Sequence, residues 1–368
     1  MVLVKAKRDE LLGPLSAVSG IIERRHTLPI LSNVLMERGA KTLSFLATDI
    51  EIQIISSTPM EQSGEGHAVT VGARKLVDIL RALPDGADVT LQQQDKRMLV
   101  KAGKSRFSLQ TLPAEDFPRL SKVAGEVARF GIAQKTLRRL LALVQYAMAQ
   151  QDIRYYLNGL LILVEDKQLK LVATDGHRLA FVSTALEVDL PRQEVIVPRK
   201  TVIELSKLLA DVEEEVRIEL SATQAAFSFG SIELVSKLVD GKFPDYTRVI
   251  PKQHKNAVTL NREVLRQALL RAAILSNEKF RGVRWVLSDG SLKIVSSNAE
   301  QEEAQEELDV TYSGDALDIG FNVNYLLDVL NNVPGASVEC SFGDSSSSAL
   351  VTYASEQNFK YVVMPMRI

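Results

Sequence analysis

The chain repeats itself. Leu43-Ser-Phe-Leu-Ala-Thr-Asp-Ile-Glu-Ile aligns with Leu169-Lys-Leu-Val-Ala-Thr-Asp-Gly-His-Arg 126 positions later, sharing Ala-Thr-Asp in register. Leu292-Lys-Ile-Val-Ser-Ser-Asn-Ala-Glu-Gln follows 123 positions after that. Three helix-periodic segments, beginning at Gly72, Pro198 and Phe321, recur at nearly the same spacing, and Phe117-Pro118 precedes Phe243-Pro244 by 126. A period of about 122–126 residues divides the 368-residue chain into three copies. Units this long are not solenoid repeats, because each can bury a core of its own. The expected domains are 1–127, 128–248 and 249–368.

Each copy reads in the same order. A short alternating strand (Val2 to Lys5, Val127 to Ile132, Ala257 to Leu260) leads into an amphipathic helix starting near Lys7, Gln134 or Asn261. Leu137, Leu140, Leu141 and Val144 show the helical spacing. Hairpins follow, turning at Glu165-Asp166-Lys167 and at Asp289-Gly290, then a second helix and further strands. The class is α+β: three domains, each with two helices and antiparallel sheets.

The composition, 46% apolar and 24% charged, is that of a globular protein, and no apolar run approaches the ~18 residues of a membrane span. The start resembles a strand and not a signal peptide, and the single Cys340 allows no internal disulfide, so a cytoplasmic location is expected. The net charge of −2 conceals an asymmetry. Counted along the sequence, the six helical segments carry +10 and the remainder −12, with the last helix, bearing Asp328 and no base, the exception. Such a surface is either a solvated face or one that meets a polyanion. Helices about 10 Å wide, six abreast, would enclose a hole only ~9 Å across, whereas twelve would leave ~28 Å, room for a duplex. A ring around DNA therefore needs two chains. Matching edges exist: Lys104, Arg106, Phe107 and Leu109 in the first copy, and Ile274 and Leu275 with Glu300, Glu302, Glu303, Glu306 and Glu307 in the third. These are either soluble edge strands or a head-to-tail joint oriented by charge. Gln305 interrupts the acidic edge and weakens that electrostatic match.

Several segments in order resemble the bacterial DNA polymerase III β subunit, the sliding clamps, along the whole chain: Thr27-Leu-Pro-Ile-Leu, Gln151-Asp-Ile-Arg-Tyr-Tyr-Leu-Asn-Gly, Ala173-Thr-Asp-Gly-His-Arg-Leu-Ala, Ser236-Lys-Leu-Val-Asp-Gly-Lys-Phe-Pro-Asp-Tyr, Ile274-Leu-Ser-Asn-Glu-Lys-Phe-Arg-Gly-Val-Arg and Tyr361-Val-Val-Met-Pro-Met-Arg-Ile. The resemblance implies a DNA-clamp fold, a head-to-tail dimeric ring with helices inside and sheets outside. It also implies partners: primed duplex DNA without sequence preference, a clamp loader, the replicative polymerase subunit, translesion polymerases and repair factors. Arg25, Arg74, Gln151, Tyr155 and Tyr156 match DNA-contacting positions, with Arg199 and Lys200 beside them. Contacts of this kind go to phosphate and sugar and position a protein without reading sequence. From composition alone the two tyrosines could equally be core, and on a strand at most one would be buried.

A second group matches the family's peptide pocket. It comprises Arg154, Leu157, Thr174, Gly176, His177, Arg178, Leu179, Pro244, Arg248 and Val249, then Asn322, Tyr325, Ser346, Val362, Met364, Pro365, Met366 and Arg367. A Val- and Met-rich tail is unusual for a terminus; it either finishes a core or receives several partners in turn through short extended motifs with hydrophobic anchors. Ile368 stands where the family commonly has Leu and is expected to alter the pocket's shape, and the Ser345–Ser348 run is a possible part of its rim. Catalysis is the rival class. Asp175 and His177 could orient a general base, yet no nucleophile or phosphate loop accompanies them. His26, His67, His177 and His254 lack metal-ligand spacing with Cys340, so no metal or cofactor is expected. A protein-interaction scaffold that never meets DNA is the other alternative.

Overall fold

A computed structural model describes residues 1–23, 28–61, 64, 66–121, 123–252 and 254–368. The first repeat contains β1 (Val2–Lys7), α1 (Arg8–Ser19), β2 (Asn33–Arg38), β3 (Thr42–Thr48), β4 (Ile52–Pro59), β5 (His67–Gly72), α2 (Ala73–Ala82), β6 (Asp88–Gln94), β7 (Arg97–Ala102) and β8 (Ser105–Leu112). The second contains β9 (Ala128–Ala133), α3 (Gln134–Val144), β10 (Gly159–Glu165), β11 (Gln168–Thr174), β12 (Arg178–Ala185), β13 (Gln193–Pro198), α4 (Arg199–Leu208), β14 (Glu215–Leu220), β15 (Gln224–Phe229) and β16 (Ile232–Lys237). The third contains β17 (Asn256–Asn261), α5 (Arg262–Ala272), β18 (Gly282–Ser288), β19 (Ser291–Ser297), β20 (Glu303–Asp309), β21 (Leu317–Asn322), α6 (Val323–Asn332), β22 (Ser337–Phe342), β23 (Ala349–Thr352) and β24 (Lys360–Val363). The three domains thus share one order of elements, and every strand pairing is antiparallel.

The chain packs as two compact units, Met1–Leu137 with Ile203–Leu238, and Arg138–Val202 with Val239–Ile368. The first holds one sheet of order β1-β6-β7-β8-β5-β2-β3-β4-β16-β15-β14-β9. The second holds β13-β10-β11-β12-β24-β23-β22-β17 and β20-β19-β18-β21. The order exposes a rule: the fourth strand of one repeat pairs with the last strand of the next, as β4–β16 and β12–β24.

Local chemistry explains the elements. α1 buries Leu11, Leu15 and Val18, α2 buries Leu76, Val77 and Leu80, and α5 buries Leu265, Ala268 and Leu269. These are the i, i+3, i+4 stripes of helices laid on sheets. In the first and third repeats an arginine at the first helix's start donates to a carbonyl near the end of the second helix: Arg8 to Leu80 at 2.9 Å and Arg262 to Leu330 at 2.9 Å. Each serves a last-turn carbonyl exposed to charge-assisted pairing. At the 165–168 hairpin, Asp166 and Lys167 both have positive φ, 48° and 59°, the tight turn that matches strand twist.

One apolar face of the β12-centred sheet carries Leu161, Val172, Leu179, Ile196 and Val362, and the segment 239–250 lies over it through Val239, Phe243, Tyr246 and Ile250. The first unit has a counterpart, where Phe117 covers Leu35 and Leu46. The repeated Phe-Pro pairs therefore mark the lids that follow β8 and β16.

Candidate functional site

The site is organised by the turn after Ala173-Thr174-Asp175. The Thr174 hydroxyl donates to the Arg178 carbonyl at 2.6 Å, and Asp175 Oδ1 accepts from the backbone N–H groups of His177 (2.9 Å) and Arg178 (3.1 Å). An aspartate bonded to its own chain two and three residues on is a turn former. Asp175 thus meets His177 through the main chain, while the imidazole stacks against the Tyr325 ring, centroids 6.5 Å apart. Gly176, at φ 88°, lets the Arg154 guanidinium lie over the turn; a Cβ there would come within 2.9 Å of it.

Two arginines frame the turn. Arg178 is half-buried, donating to Asp175 Oδ2 at 3.0 Å and to the Tyr146 carbonyl at 2.7 Å, pairing with Asp328, and standing 4.5 Å from the Tyr325 ring centre. Burial would lower its pKa, but Tyr361, Asp328 and Asp175 outweigh that and hold it above the ordinary value. The acidic exception among the helices is therefore the counter-ion of a half-buried arginine. At the surface, Arg154 grips Asp152 with two nitrogens, at 3.0 and 2.9 Å, and this holds the Asp152 carboxyl at about 2.

Beside this turn opens a pocket of about 210 Å³. Leu179 and Val362, cross-strand partners on β12 and β24, belong to its lining. Arg154, Tyr156 and Leu157 line it from the 3-10 turn Tyr155–Leu157 and its flank. Phe243, Pro244, Tyr246 and Val249 line it from the covering segment, and Thr174, Gly176, His177, Arg178 and Met364 complete it. The surface is mostly apolar with a few fixed polar groups, the make-up of a ligand site. Tyr156, a candidate DNA contact in the sequence, lines this pocket. Phe243 and Tyr246 were missed, although the Phe-Pro repeat marked their segment.

Other candidates lie around it. Tyr325 backs His177; the Asn322 side chain caps α6 by accepting from Asn324 at 2.9 Å; Arg248 pairs with Asp245 at 2.9 Å. Ser346 and Ser347 donate to Asp344, whose carboxyl they hold at about 2, Ser347 contributing most. The tail runs on from β24. Met364 N–H donates to the His177 carbonyl (2.9 Å) and Met366 N–H to the Gly320 carbonyl (2.9 Å), with Pro365 between them and Arg367 exposed beyond. Ile368 corrects the expectation about pocket shape: its side chain rests over Gly282 and Gly320, on β18 and β21, and not among the pocket-lining residues.

The DNA-contact candidates are dispersed in sequence and differ in setting. Arg25 lies outside the described residues. Arg74 is exposed on α2, and its guanidinium donates to the Ile22 carbonyl at 3.4 Å. Gln151 (φ 56°) and Tyr155 are exposed; both tyrosines belong to the 3-10 turn, which corrects the reading of alternating strand faces. Arg199 is half-buried, donating to the Met148 carbonyl at 3.0 Å, and burial lowers its pKa. Lys200 is next to it on α4. The helical charge is also partly neutralised in place by residues outside the helices, which a count along the sequence overlooks: Lys135 pairs with Glu213, Arg139 with Glu356 and Arg271 with Glu306.

The edge candidates alternate cleanly. On β8, Phe107 and Leu109 point to the half-buried side, while Arg106, like Lys104 before the strand, is exposed. On β20, Glu303, Gln305 and Glu307 are exposed and Glu306 is turned toward Arg271. Glu302 accepts from Asn298, and Glu300 is exposed. Ile274 is 75% exposed, beside the half-buried Leu275. Among the described residues no cluster of three His, Cys, Asp or Glu forms a metal site, and no helix is long and apolar enough to cross a membrane. Burial pushes the Cys340 thiol up to about 12.

Family models for the N-terminal, central and C-terminal domains of the DNA polymerase III beta subunit match residues 3–121, 131–245 and 247–367. The chain is 49% identical over 362 residues to the beta sliding clamp of Salmonella typhimurium, covering 98% of this chain and 99% of that one. It is 49% identical over 365 residues to that of Pseudomonas aeruginosa, with the same coverage. The solved Pseudomonas aeruginosa sliding clamp bound to griselimycin matches with a TM-score of 0.96 at 48% identity, covering 100% of both chains. The Caulobacter crescentus pol III beta structure matches at 0.93 and 39%, again over 100% of both.

Proposed function

The chain belongs to the DNA polymerase III beta subunit family and is a DNA sliding clamp, and we propose that it works as a non-catalytic ring, two copies closed head to tail around duplex DNA in the cytoplasm. Its domains are 1–127, 128–248 and 249–368. Arg25, Arg74, Gln151, Tyr155, Tyr156, Arg199 and Lys200 touch phosphates and sugars as it slides, giving salt-sensitive retention without sequence preference. A clamp loader places it on primed DNA. The replicative polymerase subunit, translesion polymerases and repair factors then dock short hydrophobic motifs in the pocket around Leu179 and Val362. The observation that carries this last assignment is the apolar cavity held open beside Gly176, His177 and Met364. A docking site of such limited area gives modest affinity, which permits partners to exchange.

The strand-pairing rule supports the dimer. β20 has β19 as its partner, and β8 beyond β7 meets β5 only at Leu112 and Thr111. These are the fourth strand of the last repeat and the last strand of the first, so the rule joins them between two copies. Carrying the registers Gln53↔Val235 and Leu179↔Val362 to that joint sets Glu303 opposite Ser108. Lys104 then faces Glu307, Phe107 faces Ala304 and Arg106 faces Gln305, so half-buried positions oppose half-buried ones. Gln305 removes one of two direct charge pairs. Single cysteines placed at Ser108 and Glu303 in separate chains, mixed and oxidised, should cross-link; linkage one residue out of step would refute the register.

Topology is tested with DNA. Loaded by the cognate clamp loader and ATP, the protein should stay on a nicked circular plasmid and run off the same plasmid once linearised. Equal retention on both would reduce it to an electrostatic DNA binder, and retention on neither would leave an interaction scaffold.

A further inference from the structure

Tyr246 has a second side. Beyond it lies a separate groove of about 450 Å³ whose lining includes Lys170, Phe181, Tyr246, Ile250, Lys252 and Lys360. Strand register puts Lys170 and Lys360 on one face. Phe181 pairs directly with Lys360 across β12 and β24, and with Val172, two residues along β11 from Lys170. The Phe181 ring stacks on Tyr246 (5.7 Å, 28°), and the Lys360 ammonium stands 6.0 Å from the Phe181 centre. The carboxylates near Tyr246 have other partners: Glu165 and Glu194 are held by Arg192 at 3.1 and 2.8 Å, Asp245 pairs with Arg248 at 2.9 Å, and Glu165 reaches Lys170 only at 3.9 Å. Three lysines on an aromatic floor therefore adjoin the apolar pocket, with Tyr246 common to both.

We propose that this groove receives an acidic stretch flanking the hydrophobic anchors of a docked partner peptide, so that the apolar pocket and the lysine groove form one bipartite site. The inference rests on the pocket reading above. It is argued from continuity with that pocket through Tyr246 and from charge: a carboxylate between Lys170, Lys252 and Lys360 gains attraction that a neutral residue does not, and the joint effect selects partners by what flanks their anchors.

The test uses fluorescein-labelled peptides with identical leucine and phenylalanine anchors, flanked on either side by a run of aspartates or of serines. Binding is read by anisotropy on the full-length protein and on Lys170→Ser/Lys252→Ser/Lys360→Ser. The wild type should bind one aspartate peptide about tenfold more tightly than its serine counterpart, a preference that shrinks as salt rises. The triple variant should bind both alike, at the wild-type affinity for serine peptide, which also certifies its fold; the triple Lys→Arg variant should restore the preference. Equal binding by the wild type, or a preference that survives in the triple serine variant, overturns the proposal. So does a labelled DNA duplex that loses binding to the variant while the peptides show no preference. Failure of every peptide to bind the wild type refutes instead the pocket reading on which the inference stands.

Discussion

The first and second repeats build the same turn, bond for bond, with different consequences. Thr48 donates to the Ile52 carbonyl at 2.8 Å, and Asp49 accepts from Glu51 (3.0 Å) and Ile52 (2.8 Å), as Thr174 and Asp175 do 126 residues later. Ile50 takes φ 72° where Gly176 takes 88°. Lys237 N–H donates to the Glu51 carbonyl at 2.9 Å, as Met364 N–H donates to that of His177. The side chains then diverge. In the first unit Lys237 also pairs with the Glu51 carboxylate at 3.1 Å, and Gln53, at the position of Leu179, accepts from the Leu120 N–H at 2.9 Å, tying the covering segment to the sheet. In the second unit His177 and Met364 form no such pair, Leu179 offers the covering segment no acceptor, and the space is a pocket. The backbone of the clamp domain builds the cradle; whether it opens depends on a few side chains.

Removing residues 364–368 should have the largest effect. It takes away Met364 from the pocket and the bonds from Met364 to His177 and Met366 to Gly320. Affinity for a polymerase-derived peptide should fall by about 100-fold, ~2.7 kcal/mol, by calorimetry, while the dimer mass by sedimentation stays unchanged because β8 and β20 are untouched. Peptide affinity that survives the deletion would separate the tail from the pocket.

An exchange between the repeats is the more direct test. Leu179→Gln gives the second site the amide that accepts from the Leu120 N–H in the first; Tyr246, the counterpart of Leu120, packs in the same cluster as Leu179. Peptide affinity should drop about tenfold in a protein that still folds. The reciprocal Gln53→Leu leaves the Leu120 N–H without its acceptor and should cost about 1–2 kcal/mol in denaturant unfolding, with no change in peptide binding. A Leu179→Gln protein that binds peptide normally would show that the pocket is held open by something other than this position.

Much of this was legible in the sequence, unevenly so. The repeat, the helix starts and the hairpins depend on neighbours in the chain, and the apolar spacing of Leu137, Leu140 and Leu141 or the turn residues at 166–167 report them directly. Arg178 and Leu179 could be assigned to a pocket only through family resemblance, because their partners lie far away along the chain: Asp328 is 150 residues distant and Val362 is 183. Asp175 read as a candidate for acid–base work because sequence does not show that one of its oxygens is already used by backbone N–H groups and the other by the Arg178 guanidinium. The helical charge excess was overestimated for the same reason, since Glu213, Glu306 and Glu356 neutralise it from other elements. Pairing β4 to β16 and β12 to β24 left no local trace at all, yet it is this rule that orients the proposed dimer joint.

The smallest expected effect lies at the edge of the pocket, where the two repeats differ again. Arg154 holds Asp152 there, whereas the first repeat has Leu28 at the position of Arg154, half exposed. Because the Asp152 carboxyl is lowered from 3.8 to about 2 by Arg154, the pair is intact throughout the neutral range. Its contribution is present above pH ~4 and is lost only as acid takes the carboxyl through its folded pKa. Peptide affinity should therefore be flat from pH 8 to 5 with respect to this pair. A carboxyl carbon NMR titration should place Asp152 near 2 in the wild type and return it toward the ordinary aspartate value in Arg154→Ala. Since Arg154 is exposed and Asp152 only half-buried, the variant should unfold at nearly the wild-type denaturant midpoint. An Asp152 that titrates normally in the wild type would mean that the two side chains are not held together in solution.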